Sequence, residues 1–375
     1  MNIFNPEHDL CLANGAPNFV PPFSALEFAE DCAGLTRWID EAKDDEVIPW
    51  GWDSHLKCRL LKQGIDEKLL PSDEELETIR ELSRRGVASE AESYVRKTLT
   101  EAELEFVRPE GEVVELSDVD GVISAVGRFG DAVLKAPLSG SGKGLRWARA
   151  DELTASDLGW CRNVISKQGS VTVERRHKVV QDFAMLFRVN ADGTVLFEGL
   201  SMFFNDNGIY KGNVLASDDF ILKAWSRYVD ETLIRKVRTA LTMFLAGKFS
   251  GRYSGYVGVD MFVYEADGGF RLAPCVEMNV RMTMGLLARR VFDRSDYASG
   301  DYVMTVEYSP ADGELYRKYA GEENKTLTRI TPSSHYAVVI GFRGQNDAGY
   351  FFDGCQMIAK LADWKKMKQL CVNYI

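Results

Sequence analysis

Apolar residues recur along this chain with two different periods, and the change from one to the other divides it. Through the first 115 residues, short apolar runs alternate with amphipathic stretches. The runs predict strands over 1–4 and 47–50, and the helical spacing between and after them predicts helices over 24–38, 54–63, 72–85 and 89–99. Ser24 followed by Glu27 reads as a capping box, and Ser72 ahead of Asp73, Glu74 and Glu75 as a strong N-terminus. Arg84 and Arg85 fall where cations favour a helix C-terminus. Strand alternating with helix predicts a small parallel α/β unit.

From about residue 116 a period of two prevails. Strands are expected over 133–138, 171–173, 179–189, 194–204, 256–264 and 270–278, with a return strand from Leu145 and two more over 302–308 and 336–342. The turns A-D-G-T (191–194) and A-D-G-G (266–269) join apolar alternating runs, which implies antiparallel hairpins. Helices are expected over 230–246 and 285–294, with a basic one over 358–370 read as a solvated face. The class is α/β (α+β).

Composition narrows the function without choosing it. The 375 residues are 45% hydrophobic and 27% charged, the balance of a globular chain with room for two or three cores. A formal net charge of -11 argues against nucleic acid as a partner, because phosphate neutralisation needs a basic surface. An anionic ligand would then be met by a local cationic pocket. No apolar run reaches the length of a membrane span, and the first residues lack a signal-peptide pattern. Seven dispersed cysteines without a C-x-x-C pair read as reduced thiols. The expectation is a cytoplasmic protein with no membrane partner.

The segment V-L-K-A-P-L-S-G-S-G-K-G-L (133–145) is the first candidate site. A nucleotide P-loop would need glycine where Pro137 stands, and a dinucleotide fingerprint would need glycine at Leu145. What remains is a strand ending in Lys135, a loop of Ser139, Gly140, Ser141, Gly142, Lys143 and Gly144, and a returning strand. Glycines let backbone N–H groups converge on phosphate oxygens, and Lys135 would add a point charge. The alternative is a plain hairpin turn.

The second candidate lies downstream, in G-V-D-M-F (258–262) and V-E-M-N-V-R (276–281). Asp260 interrupts an apolar strand, and Glu277 and Asn279, two apart on the next strand, share one face. Buried carboxylates need partners. Three oxygen donors on adjacent strands suit Mg²⁺, which completes its octahedron with phosphates and water. Salt bridges to Arg281 or Arg271 are the alternative. Together the loop and the acidic cluster point to Mg-ATP, with Mn²⁺ a substitute.

With these motifs in this order, the chain resembles the ATP-grasp superfamily, which includes D-alanine–D-alanine ligase, glutathione synthetase and biotin carboxylase. The resemblance spans residues 84–290. It implies two lobes gripping ATP after a small parallel α/β domain. The boundaries are then 1–115 for the pre-ATP-grasp domain, 116–175 for the N-terminal lobe, 176–295 for the C-terminal lobe and 296–375 for an extension. V-T-V-E-R-R would be the hinge, with Glu174 and the backbone of Arg175 and Arg176 at the adenine edge. Asp182 would meet the ribose, and Lys211, with Asn213 beside it, the γ-phosphate. Arg188 is a second cation candidate, or a partner for Glu198. Arg84 or Arg85 stands where the family carries an earlier lysine, unless both are helix-end charges.

The chemistry this resemblance implies is ADP-forming ligation. A carboxylate attacks ATP to give an acylphosphate, and an amine then displaces phosphate. Arg281 is the candidate for holding the carboxylate, with Lys211 dispersing charge on the phosphoryl group. The partners implied are small-molecule carboxylate and amine substrates of amino-acid or peptide type, with homo-oligomerisation left open. A carboxylate kinase, a carboxylase or another ATP-grasp phosphoryl-transfer enzyme, and a nucleotide-binding protein without chemistry, are the alternatives. The loops Asn5–Leu10 and Pro49–Ser54, with Glu7, His8, Asp9, Trp52 and Asp53, would face the acceptor pocket, or else serve as turns and caps.

Overall fold

A computed structural model of the chain describes residues 1–43, 45–140, 144–206, 209–322 and 325–342. Ser141, Gly142, Lys143 and the expected helix over 358–370 lie outside the described residues. Three sheets organise the rest. The first is two short parallel strands, β1 (Asn2–Ile3) and β2 (Ile48–Pro49). Around them stand α1 (His8–Asn14), α2 (Phe23–Asp31), α3 (Ser54–Lys62) and α4 (Asp73–Leu82). α4 has the expected capping box, Ser72 with Glu75. α2 differs from expectation. It starts at Phe23 after the Pro21–Pro22 pair, whose extended backbone sets the first turn, so Ser24 does not cap it. It ends at Asp31, and residues 35–38 form a separate 3₁₀ turn.

The helix expected over 72–85 ends at Leu82, and the one expected over 89–99 begins already at Arg85. Ser83 turns its hydroxyl back to the Ile79 carbonyl, Arg84 stands outside as N-cap, and α5 (Arg85–Lys97) begins anew. After α6 (Glu101–Leu104) comes the four-stranded antiparallel sheet. It contains β3 (Val113–Leu116), β4 (Asp131–Lys135), β5 (Leu145–Arg149) and β6 (Val171–Arg175), in the order β3-β6-β4-β5. Helices α7 (Val119–Phe129) and α8 (Ala155–Gln168) cover it and complete its core.

The third sheet has seven antiparallel strands. They are β7 (Val179–Val189), β8 (Val195–Asp206), β9 (Ile209–Leu215), β10 (Gly255–Ala266), β11 (Gly269–Asn279), β12 (Tyr302–Tyr308) and β13 (Tyr336–Phe342). Their spatial order is β11-β10-β7-β8-β9-β12-β13. The two Asp-Gly turns are hairpins as the alternation implied, with Gly193 and Gly268 at positive φ. One face carries α9 (Asp218–Trp225), α10 (Glu231–Phe249) and also α5, whose Val87, Ala88, Ala91 and Val95 join the same core. The other face carries α11 (Met284–Asp293) together with Phe4, Leu35, Ile39 and Trp50 from the N-terminal unit. A last short helix, α12 (Glu314–Tyr319), packs near β13.

Sheet membership therefore cuts across the boundaries expected from sequence. α5, from the first 115 residues, belongs to the large core, and β12 and β13 extend the large sheet through pairing with β9. The physical reason is that α5 presents its apolar stripe to β11 and α10, and β9 would otherwise be an open edge.

The joint between the two larger sheets is ionic. Arg108, fully buried, reaches Glu92 of α5 through Nε at 2.8 Å, Glu174 of β6 at 3.3 Å and the Cys275 carbonyl of β11 at 3.4 Å. Glu174 in turn holds Lys135 of β4 at 2.8 Å. Removing one member of a buried ionic network strands the others and costs about 3–5 kcal/mol. Arg108→Ala should lower the unfolding free energy measured by urea titration accordingly, whereas Arg175→Ala, on a half-exposed pair with Glu112, should change it by less than about 1 kcal/mol.

Candidate functional site

A cavity of about 280 Å³ opens where the four-stranded sheet, the seven-stranded sheet and the N-terminal unit meet. Its acidic wall is set by hairpin register. Asp260 of β10 is directly opposite Glu277 of β11, and Gly258 is opposite Asn279, so the side chains of Asp260, Glu277 and Asn279 emerge on one face. A bulge follows, where Met261 faces the three residues 274–276. Pro274 has no N–H to give to a ladder, and a bulge is where a strand tolerates it. On the other side Asp260 pairs with Ala184 of β7, and Ala184 with Ser201 of β8, which extends the wall across the sheet.

Burial and the neighbouring Glu277 push the Asp260 carboxyl up to about 7. The Asn279 amide donates to Asp260 at 3.0 Å. Two carboxylates and an amide oxygen form a hard-oxygen donor set. A buried acid facing a second acid is the charge imbalance that a divalent cation relieves, so these residues fit Mg²⁺. Among the described residues no group of three or more His, Cys, Asp or Glu side chains is placed to hold a metal ion. The set rests on two carboxylates with Asn279.

The opposite wall comes from the start of α5 and the loop after β4. Arg85 donates to the Ala136 carbonyl at 3.0 Å and to the Ser139 hydroxyl at 3.2 Å, and pairs with Glu277 at 3.2 Å. It thus joins the strand end of Lys135, the glycine loop and the acidic wall. Arg84 does not reach the cavity. It donates to the Gln168 carbonyl at 2.8 Å and lies 3.9 Å from Glu115, because it belongs to the break between α4 and α5. Gly140 lies so close to Asp9 that a Cβ there would stand 2.5 Å from the Asp9 Cβ. At Gly144 a Cβ would stand 2.1 Å from the Ser139 Cβ. Both glycines are required by close approach.

Lys135 is buried and bound to Glu174, which Lys135 and Arg108 hold below the usual carboxylate range against the upward push of burial. Glu174 is therefore a charge partner of Lys135. Arg175 and Arg176 follow on the strand edge, where their N–H groups go to the Glu112 and Asp131 carbonyls. Asp182, on the same face of β7 as Ala184, is opposite Phe203, and burial pushes its carboxyl up to about 7.

Arg281 carries a different load from the one expected. Its guanidinium grips Asp9 by two bonds, 2.8 and 2.6 Å, and also donates to Asn279 at 2.8 Å and to the Met282 carbonyl at 3.0 Å. A substrate carboxylate would compete with Asp9 for that fork. Lys211 is half-buried on β9, but Tyr210 and Asn213, rather than Lys211, line the cavity. The register jumps from Phe204 opposite Gly212 to Asn205 opposite Tyr210, so Lys211 has no partner position on β8. Arg188 lies over the Tyr256 ring at 5.3 Å, beside a second cavity, and Glu198 is taken by Arg290. Of the loop residues, Asp9 lines the first cavity, Trp52 the second, and His8 and Asp53 are buried against each other at 3.3 Å.

Sequence reasoning missed Arg108, Ser201, Asn205 and Tyr210. Only Asn213 was marked, as a neighbour of Lys211. Among the described residues no helix is long and apolar enough to cross a membrane, and the five cysteines are free.

Asp182 also yields a pH dependence. A carboxyl raised in the fold binds a proton that the unfolded chain releases above about 4, so its contribution makes stability fall as pH rises from about 4 to 7. Asp182→Asn should flatten that fall and raise the urea midpoint at pH 8 relative to the parent, with little change at pH 4.

No protein-family model matches the sequence, and no curated protein matches it. Solved structures similar to the chain include an ADP complex of purK, N5-carboxyaminoimidazole ribonucleotide synthetase. It has 12% identity, 98% of this chain and 96% of that chain covered, and a TM-score of 0.49. Biotin carboxylase from Campylobacter jejuni has 17% identity, 78% and 63% coverage and a TM-score of 0.43. D-alanyl-alanine synthetase A from Vibrio cholerae has 15% identity, 65% and 69% coverage and a TM-score of 0.41. These three are ATP-grasp proteins. At such identities and TM-scores the likeness concerns the course of the chain, and the chemistry of the site rests on its own geometry.

Proposed function

We propose that this protein is an ADP-forming, ATP-dependent ligase that activates a carboxylate as an acylphosphate and joins it to an amine. The observation that supports this most is the meeting at Arg85. One guanidinium touches the loop hydroxyl of Ser139 and the carboxylate of Glu277, so phosphate-binding and metal-binding elements from two sheets share one point. The order of parts is the one the ATP-grasp resemblance implies.

In this reading the adenine lies along the β6–β7 connection, at Arg175 and Arg176, and Asp182 accepts from the ribose. Lys135, Arg85 and the amides of Ser139, Gly140 and Gly144 hold the phosphates. Asp260, Glu277 and Asn279 would hold Mg²⁺, which when bound supplies charge neutralisation at the β- and γ-phosphates. A substrate carboxylate oxygen attacks the γ-phosphorus. The bond to the β-phosphate oxygen breaks, and its electron pair leaves with ADP. The cations disperse the charge that builds on the transferred group. The amine nitrogen then attacks the acyl carbon, phosphate leaves with the C–O electron pair, and the nitrogen loses its proton to solvent. Glu174 keeps Lys135 aimed throughout, and Arg281 braces Asn279 from behind.

Calorimetry should show ADP binding that requires magnesium, and ADP release from ATP should rise when a carboxylate and an amine are supplied together. Glu277→Gln should lower that release by about 10²–10³-fold while circular dichroism stays unchanged. Nucleotide binding indifferent to magnesium, or full turnover in Glu277→Gln, overturns the reading.

A further inference from the structure

The cavity has two chemically distinct ends. Its charged lining residues, Asp9, Arg85, Asp260, Glu277 and Arg281, all lie in one linked set. Arg85 pairs with Glu277, Glu277 is opposite Asp260, and Asn279 ties Asp260 to Arg281 and so to Asp9. Beyond this set no described lining residue is charged.

The far end is built from rings. Phe4 packs edge-on against both Phe28 and Trp50, with centroids 5.3 and 5.0 Å apart, and Phe203, Met284 and Val306 close the space. Its polar lining, Ser201, Asn205, Tyr210 and Asn213, is neutral. Fully buried Asn213 donates to the Ser201 hydroxyl at 2.7 Å and accepts from the Tyr210 hydroxyl, and burial pushes the Tyr210 phenol up. A second charge on the substrate would be desolvated here with no counter-ion, a cost of several kcal/mol. A ring or branched apolar group would instead meet aromatic faces and edges.

We propose that the acceptor compartment takes a small carboxylic acid with a single charge and an uncharged, ring-bearing body, selected by Phe28, Trp50 and Phe203. This rests on the reading that the charged end receives the γ-phosphate and the reacting carboxylate. It narrows the substrate away from dicarboxylates and from molecules carrying a phosphate or ammonium on the far side.

The test titrates 3-phenylpropionate and glutarate into the full-length protein by calorimetry in magnesium buffer, once with ADP and once without. 3-Phenylpropionate should saturate with a Kd lower than that of glutarate by about tenfold or more. Phe203→Leu should weaken 3-phenylpropionate about tenfold and leave the glutarate isotherm unchanged. Equal or tighter binding of glutarate, or saturation by neither acid, overturns the proposal, and the parent protein alone decides this if the variant does not fold. Preference for 3-phenylpropionate without magnesium-dependent ADP binding would sink the ligase reading while the compartment's selectivity stood.

Discussion

The contact of Arg85 with Glu277 is the constraint on which the site depends. A guanidinium at the first position of α5 is held by two loop groups on one lobe and one carboxylate on the other. Its planar fork fixes direction as well as charge, which a lysine ammonium would not. The glycine loop and the β10–β11 hairpin are thereby kept at one distance, with the cavity between them. Buried Arg108 does the same a layer deeper, where nothing exchanges with solvent.

Much of the acidic wall was legible in the sequence, for a definite reason. Asp260 and Glu277 sit in otherwise apolar strands, and a period of two puts Glu277 and Asn279 on one face, so the residues are conspicuous and their geometry follows. The Asp-Gly hairpins were readable because the turn chemistry is local. Lys135 was readable as a strand-end cation, but its buried partner Glu174 was not. That contact depends on β4 pairing with β6 across a helix and 35 intervening residues.

What sequence reading lost was lost to register and to helix breaks. In L-S-R-R-G both arginines read as the end of one helix, yet Ser83 ends that helix and Arg85 begins the next, which sends two adjacent arginines to different neighbourhoods. In I-Y-K-G-N the lysine draws attention as a phosphate ligand, but a bulge gives the cavity Tyr210 and Asn213 instead. Arg281 was marked as a substrate clamp. Its hold on Asp9, 272 positions away in sequence, follows only from the docking of the N-terminal unit. Arg108 lies in V-R-P, where nothing distinguishes it from a surface residue.

The pairing of β12 with β9 has a consequence for how such a protein can change. Val306, which closes the ring-lined end, comes from a strand added to the outer side of the sheet, while the donors at the charged end come from β10 and β11 near its opposite edge. Substitutions on β12 can therefore reshape the ring-lined end without moving the donors on β10 and β11. The two ends are mechanically insulated by the width of one sheet.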